Sequence, residues 1–172
     1  DVRVNSTVTA VDPDNKMVTV AQVTEIGGIK ETVQSEFSYD ALVLSPGASP
    51  FVPEIPGAGH ALTLRDVTDV DALVEQMAGA KSAAILGGGF VGLELAENLS
   101  HRGLEVSVVE LADQIMAPLD PELAARVSAH LHERGVAVFT GAQAQEIFPD
   151  NVVLSTGQVI AADVTIAAIG VQ

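Results

Sequence analysis

Residues 83–98 read AAILGGGFVGLELAEN: small and apolar residues run into three consecutive glycines, and the chain then continues with the spacing of a helix. Glycine in regular structure costs roughly 0.5–1 kcal/mol relative to alanine, so such a cluster implies an unusual backbone geometry or a group that must approach the backbone closely. Gly87, Gly89 and Gly92 fit G-x-G-x-x-G, with Gly88 inside the turn. In that pattern the first glycine makes the tight turn, the second clears room for a pyrophosphate, and the third lets helix and strand pack closely.

The surroundings decide how much the motif means. Ser82 to Leu86 reads as a strand feeding the turn, and Val91, Leu95 and Leu99 recur at helical spacing up to a stop near Gly103. Glu105 to Val109 reads as a second buried strand, and Glu110 at its end lies 23 residues beyond Gly87, close to the expected separation of about 20. The helix's unpaired N–H groups and positive dipole end would receive a pyrophosphate, while the Glu110 carboxylate would accept from the adenosine ribose hydroxyls. A carboxylate there repels a 2′-phosphate, and no Lys or Arg occurs between Leu111 and Arg126. NAD is therefore favoured over NADP. Glu94 is expected in the first turn of the same helix, where a favourable interaction with the dipole would account for it.

Working outward, Asp120 and Pro121 open a helix through Leu123, Val127 and Leu131 to Gly135, and Val136 to Phe139 makes a third strand. Strand, helix, strand, helix, strand in so short a span implies parallel pairing with right-handed crossovers. Beyond Gly141 the pieces QEIF, NVVL and QVIAA suggest a small antiparallel addition, and Asp163 to Ile169 reads as one more buried strand ending at Gly170. Upstream, Thr68 with Asp71 is expected to cap a helix carrying Val70, Leu73, Val74 and Met77. Asp1 to Leu44 alternates in the runs VTAV, MVTVAQV and ALVL around the turns DPDNK and GG, an antiparallel meander of three or four strands. Pro46, Pro50, Pro53 and Pro56, with Gly47, Gly57 and Gly59, form a connector that cannot be helix or central strand. The expected fold class is α/β: a Rossmann-like parallel sheet with flanking helices and a small antiparallel add-on, preceded by a β meander.

Composition narrows the possibilities further. The chain has 172 residues, 48% of them hydrophobic and 3% aromatic, so its core must be built from Val, Leu, Ile and Ala, as in sheets buried on both faces. A net charge of −15 argues against nucleic acid and anionic membrane surfaces. It does not exclude a small anion, which reads a local cluster of N–H groups. The absence of cysteine removes disulfides, thiolate metal sites and thiol chemistry from this chain. No apolar run approaches the roughly 18–20 residues of a membrane span, and DVRVNSTVTA is not a signal peptide. A cytoplasmic location is expected. His130 and His132 are two apart on a helix and point different ways, and Asp66, Asp69 and Asp71 read as caps and solvated surface, so no metal site is expected.

Together these residues resemble the FAD-dependent pyridine nucleotide-disulfide reductase family, in particular its coenzyme A-disulfide reductase, NADH oxidase and NADH peroxidase branch. Three stretches carry the resemblance: YDALVLSPGASPFVPEIPG at Tyr39–Gly57, AAILGGGFVGLELAENL at Ala83–Leu99 and VTIAAIGVQ at Val164–Gln172. The resemblance implies that Ser45, Pro46, Gly47 and Ala48 lie near FAD in the complete protein, and that Phe90 and Val91 line the nucleotide. It further implies that Glu94 lies near the nicotinamide, and Ile169 and Gly170 beside its carboxamide. Residues 1–64 would be the returning part of an FAD-binding domain and residues 65–172 an NAD(H)-binding domain.

Set against the family, an N-terminal flavin fingerprint and a redox cysteine are missing from these residues, and the chain does not begin with Met. The expectation is therefore an excised internal fragment that binds NAD(H) but holds no FAD, possesses no catalytic residue of its own and does not turn over. The parent would pass electrons from NADH through FAD to a small disulfide, persulfide, peroxide or oxygen acceptor as a homodimer; the fragment would be monomeric. A self-contained dehydrogenase would need a substrate domain for which there is no room, and a stand-alone NAD-sensing regulatory module would need no catalytic residue. SPGASP at residues 45–50 counts against both, because neither needs a proline-rich return from a second domain.

Overall fold

The computed structural model describes residues 1–172, the side chain of Ile26 excepted. It divides into two compact units, Asp1–Gly47 and Ala48–Gln172.

The first unit is an antiparallel meander in the order β1–β2–β3, with β1 at Ser6–Asp12, β2 at Met17–Ile26 and β3 at Ile29–Ser38. The DPDNK turn closes on Asp12, whose carboxylate accepts from the amides of Asp14 (3.1 Å) and Asn15 (3.0 Å) and from Asn15 Nδ2 (2.7 Å), an Asx turn. Gly27 and Gly28 both have positive φ, 60° and 82°, which suits the two-residue turn that right-twisted strands demand. Among the described residues of this unit none is buried. The expected fourth strand is not formed: Ala41–Leu44 joins no ladder, and Val43 is 85% exposed.

The second unit is built on a five-stranded parallel sheet. Its strands are β4 (Ala61–Thr63), β5 (Ser82–Leu86), β6 (Glu105–Val109), β7 (Ala137–Phe139) and β11 (Val164–Ala167), in the order β4–β11–β5–β6–β7. The helices are α1 (Val67–Gln76), α2 (Phe90–His101) and α3 (Pro121–Glu133). A small antiparallel sheet follows α3 and β7, made of β8 (Ala144–Ile147), β9 (Asn151–Leu154) and β10 (Val159–Ala161).

The period of two in β5 sorts the core. Ala83 and Ile85 pack with Leu73, Leu95, Leu99 and Leu131 from the helices. Ala84 and Leu86 pack instead with Ile147, Val152, Leu154 and Ile160 of the small sheet. The second face is therefore covered by the antiparallel addition rather than by helices, which explains why every residue of β5 and β11 is buried.

The second compact unit begins at Ala48; residues 61–63 pair with β11, and the connector itself returns to the sheet. Ser49 and Gln172 exchange two 2.9 Å backbone bonds, and the Phe51 amide donates to the Gly170 carbonyl at 2.9 Å. Helix α1 is capped two residues early: Asp66 is the N-cap, accepting from the Asp69 amide, while the Asp69 carboxylate accepts from the Asp66 amide. Thr68 and Asp71 take no part in this box.

At the amino end of the sheet Asp163 fastens β11 to β5. Its Oδ2 accepts from the amides of Lys81 (2.8 Å) and Ser82 (3.0 Å) and from Ser82 Oγ, which in turn accepts from the Asp163 amide. These donors, the Lys81 amide foremost and then the Ser82 hydroxyl, hold the Asp163 carboxyl below its ordinary value of 3.8.

Candidate dinucleotide site

Chain order and strand order diverge at one place. From β5 the chain moves outward through β6 to β7, then returns so that β11 lies on the other side of β5. Open α/β sheets bind ligands at such a switch, outside the carboxyl ends of the strands. The glycine turn follows β5 and Ile169–Gly170 follows β11, so both edges of the switch carry residues that the sequence singles out.

The glycines are required for different reasons. Gly87 has φ +111°, and a Cβ there would run into the Ala168 carbonyl; its amide donates to the Val109 carbonyl at 2.7 Å, tying the turn to β6. A Cβ on Gly92 would meet the Gly87 carbonyl oxygen, so this position sets how closely α2 approaches the turn. Gly88 is confined by Ile115, whose Cγ2 would stand 2.7 Å from an added Cβ. Gly89 differs from all of these. Its φ of −84° and ψ of −170° are extended backbone open to any residue, and an added Cβ would have no neighbour within 4 Å. Nothing within the protein requires glycine at position 89.

Gly89 is also the N-cap of α2, with no side-chain hydrogen bond and no acidic residue in the first turn. The first four N–H groups of a helix have no intrahelical partner, so this end presents a cluster of open donors with the positive end of the dipole behind them. That is an anion site in shape and charge, and the void at Gly89 admits a phosphate against the backbone.

Glu110 joins the turn directly. Its Oε2 accepts from the Gly88 amide at 2.7 Å and its Oε1 from the Ala112 amide at 2.8 Å. An ionised carboxylate has about four acceptor positions, so these two bonds hold the half-buried side chain in place and leave capacity for a pair of hydroxyls. Sequence spacing pointed to Glu110 as a candidate ribose acceptor; its bracing of the glycine turn was not legible there.

A cleft of about 630 Å³ runs along these carboxyl ends and brings together Gly87, Gly89, Phe90, Val91, Glu110, Ile169 and Gly170. Leu64, Arg65, Pro50 and Phe51 also line it; none of these was singled out as a nucleotide contact from the sequence. Glu94 is placed elsewhere. It is the fifth residue of α2, beyond the first turn, and lines hollows flanking that helix rather than the cleft. Ser45, Pro46 and Gly47 end the first unit and Ala48 begins the second. Among the described residues, no three or more His, Asp or Glu side chains form a metal-binding group, and no helix is long and apolar enough to cross a membrane.

A parallel sheet with a glycine turn at its switch point, an uncapped helix behind it and a carboxylate on the next strand defines a dinucleotide-binding α/β unit. The family described as pyridine nucleotide-disulphide oxidoreductase matches residues 1–172, and the chain belongs to it. It is 33% identical over 98% of its length to the nitrite reductase [NAD(P)H] of Bacillus subtilis, of which it spans 20%. It is 32% identical over its full length to the NADH oxidase of Methanocaldococcus jannaschii, of which it spans 39%. The solved structure of reduced Bacillus anthracis CoADR-RHD superimposes with a TM-score of 0.84 at 38% identity, covering 97% of this chain and 30% of that one. The chain thus spans well under half the length of each.

Proposed function

We propose that this chain is the NAD(H)-binding portion of a flavin-dependent oxidoreductase that passes hydride from NADH to FAD and on to a disulfide, persulfide, peroxide or oxygen acceptor. The observation that carries the reading is Gly89: a glycine that no internal contact or backbone angle demands, capping a helix whose first amides are open. The pyrophosphate would sit on those amides, the adenosine ribose on Glu110, and the nicotinamide over the ends of β11 and β4 beside Ile169 and Gly170. Phe90 and Val91 would line the nucleotide between them. In the parent protein FAD would supply the hydride acceptor, with Ser45–Ala48 nearby. The differing names of the relatives fit an acceptor chosen by parts outside these residues.

Glu110 favours NADH over NADPH. Like charges about 4 Å apart at an effective dielectric near 20 cost roughly 4 kcal/mol, and Arg65, the only cation lining the cleft among the described residues, follows β4, three strands away from Glu110 after β6. By themselves the 172 residues contain a single glycine turn of this kind and no cysteine; they are expected to be colourless and to consume no NADH, since hydride needs an acceptor and thiol transfer needs a thiolate. Calorimetric titration with NADH and NADPH tests the reading, alongside a visible spectrum of the purified chain. Tighter or equal NADPH binding would overturn the assignment of Glu110, and a co-purifying flavin would overturn the expected inactivity.

A further inference from the structure

We infer that Arg65 is a specificity-determining residue that makes the cleft favour the reduced over the oxidised nicotinamide ring. The inference rests on the dinucleotide reading above.

Two charged residues line the cleft, Glu110 and Arg65, and the strand order sets them apart. Glu110 follows β6; Arg65 lies two residues beyond β4, with β11 and β5 between. Three strand spacings of about 4.8 Å separate those ends. With the adenosine ribose on Glu110 and the pyrophosphate on α2, the nicotinamide half falls over β11 and β4, where Ile169, Gly170, Phe51 and Leu64 make an otherwise uncharged wall.

The guanidinium is held by no internal partner. In a chain with 23 acidic residues, no carboxylate among the described residues lies within ion-pair distance of it, the single pair being His130 with Glu133. The adjacent acids are occupied with backbone: Asp66 accepts from the Asp69 amide, and Asp69 from the amides of Arg65 (2.7 Å) and Asp66 (3.4 Å). Neither lines the cleft. Arg65 therefore contributes its main chain to the helix cap and leaves its cation to the cleft.

The two redox forms differ by one charge at one place. When C4 of the dihydronicotinamide gives up a hydride, two electrons leave with it and the ring becomes a pyridinium cation; phosphates and riboses are unchanged. A cation at that end of the cleft opposes the oxidised ring and leaves the reduced ring alone, so it favours loading with NADH and release of NAD⁺. For unit charges about 6 Å apart at an effective dielectric between about 40 and 80, the repulsion changes a binding ratio by about 3- to 10-fold.

The test is calorimetric titration of the unaltered chain, Arg65→Gln and Arg65→Lys with NADH, NAD⁺ and ADP-ribose, with circular dichroism confirming the fold. The exposed Arg65 side chain makes no bond in the cap, so both variants are expected to fold. The expected result is a fall of about 3- to 10-fold in the NADH-to-NAD⁺ affinity ratio in Arg65→Gln, produced by tighter NAD⁺ binding, and retention of the ratio in Arg65→Lys. If all three ligands weaken alike, Arg65 binds phosphate and the inference is wrong; an unchanged ratio also overturns it. Failure of the unaltered chain to bind NADH or ADP-ribose would overturn the dinucleotide reading itself.

Discussion

Helices α1 and α2 leave the carboxyl ends of strands in the same sheet, yet their first turns are finished in opposite ways. Helix α1 closes on itself: Asp66 and Asp69 satisfy each other's amides, and Asp69 takes that of Arg65 as well. Helix α2 begins on a glycine with no side-chain cap and no acid in its first turn. A self-capped end surrounded by carboxylates is complete and repels anions; an end capped by glycine is incomplete until an anion arrives. The contrast separates positions that hold the fold from positions that hold a ligand.

The largest effect is expected where the turn supports the fold. Gly92→Val would drive a side chain into the Gly87 carbonyl, between α2 and β5, and overpacking against backbone should cost about 3 kcal/mol, the upper end of its usual range. Denaturant unfolding monitored by circular dichroism would show it, and a stable Gly92→Val chain would mean that the turn is looser than described. Gly89→Val, three residues away, should cost no more than about 1 kcal/mol, the penalty of an apolar N-cap, while weakening NADH by at least about 100-fold, because the void it fills is the one a phosphate needs. Normal binding by the folded variant would place the phosphate elsewhere.

Breaking the other helix should give the reverse outcome. Asp66→Ala removes the cap of α1 and is expected to cost about 1 kcal/mol of stability with NADH affinity unaltered; a large loss of binding would merge the two helix ends into one functional unit.

The smallest effect belongs to the far end of the sheet. Because Asp163 is held below its ordinary value of 3.8 when folded, it binds its proton more readily in the unfolded chain, and its contribution is complete above that pH. The contribution is lost as pH falls through the lower folded value. The stability difference between the parent chain and Asp163→Asn should therefore shrink below about pH 3.8, as read by urea unfolding at a series of pH values. A difference independent of pH would remove the carboxylate's charge from the account.

Local signals were legible in the sequence and tertiary ones were not. The glycine turn, Glu110 and the strands around them follow from spacing within one βαβ unit, and the structure keeps all of them. The α1 cap was misread because Asp66, Thr68, Asp69 and Asp71 all offer capping oxygens within six residues, and only the exit of β4 selects among them. Glu94 was expected in the first turn; with Gly89 as N-cap, it is the fifth residue of α2 and falls just beyond that turn. Strand β4 is three residues long, too short for any periodicity, so its place in the sheet and the arrival of Arg65 at the cleft could not be read. ALVL has the alternation of a strand, but a strand needs a neighbour, and none pairs with it among the described residues.

The central claim, that the open first turn of α2 receives the dinucleotide while the closed first turn of α1 does not, is tested most directly by amide chemical shifts. The ¹⁵N-labelled chain would be titrated with NADH and, separately, with ADP-ribose. Perturbations should concentrate at Gly88–Gly92 and Ala112 with both ligands, extend to Ile169 and Gly170 with NADH, and leave Val67–Asp69 unmoved. Saturable binding that shifts Val67–Asp69 while Gly88–Gly92 stay in place would contradict the account.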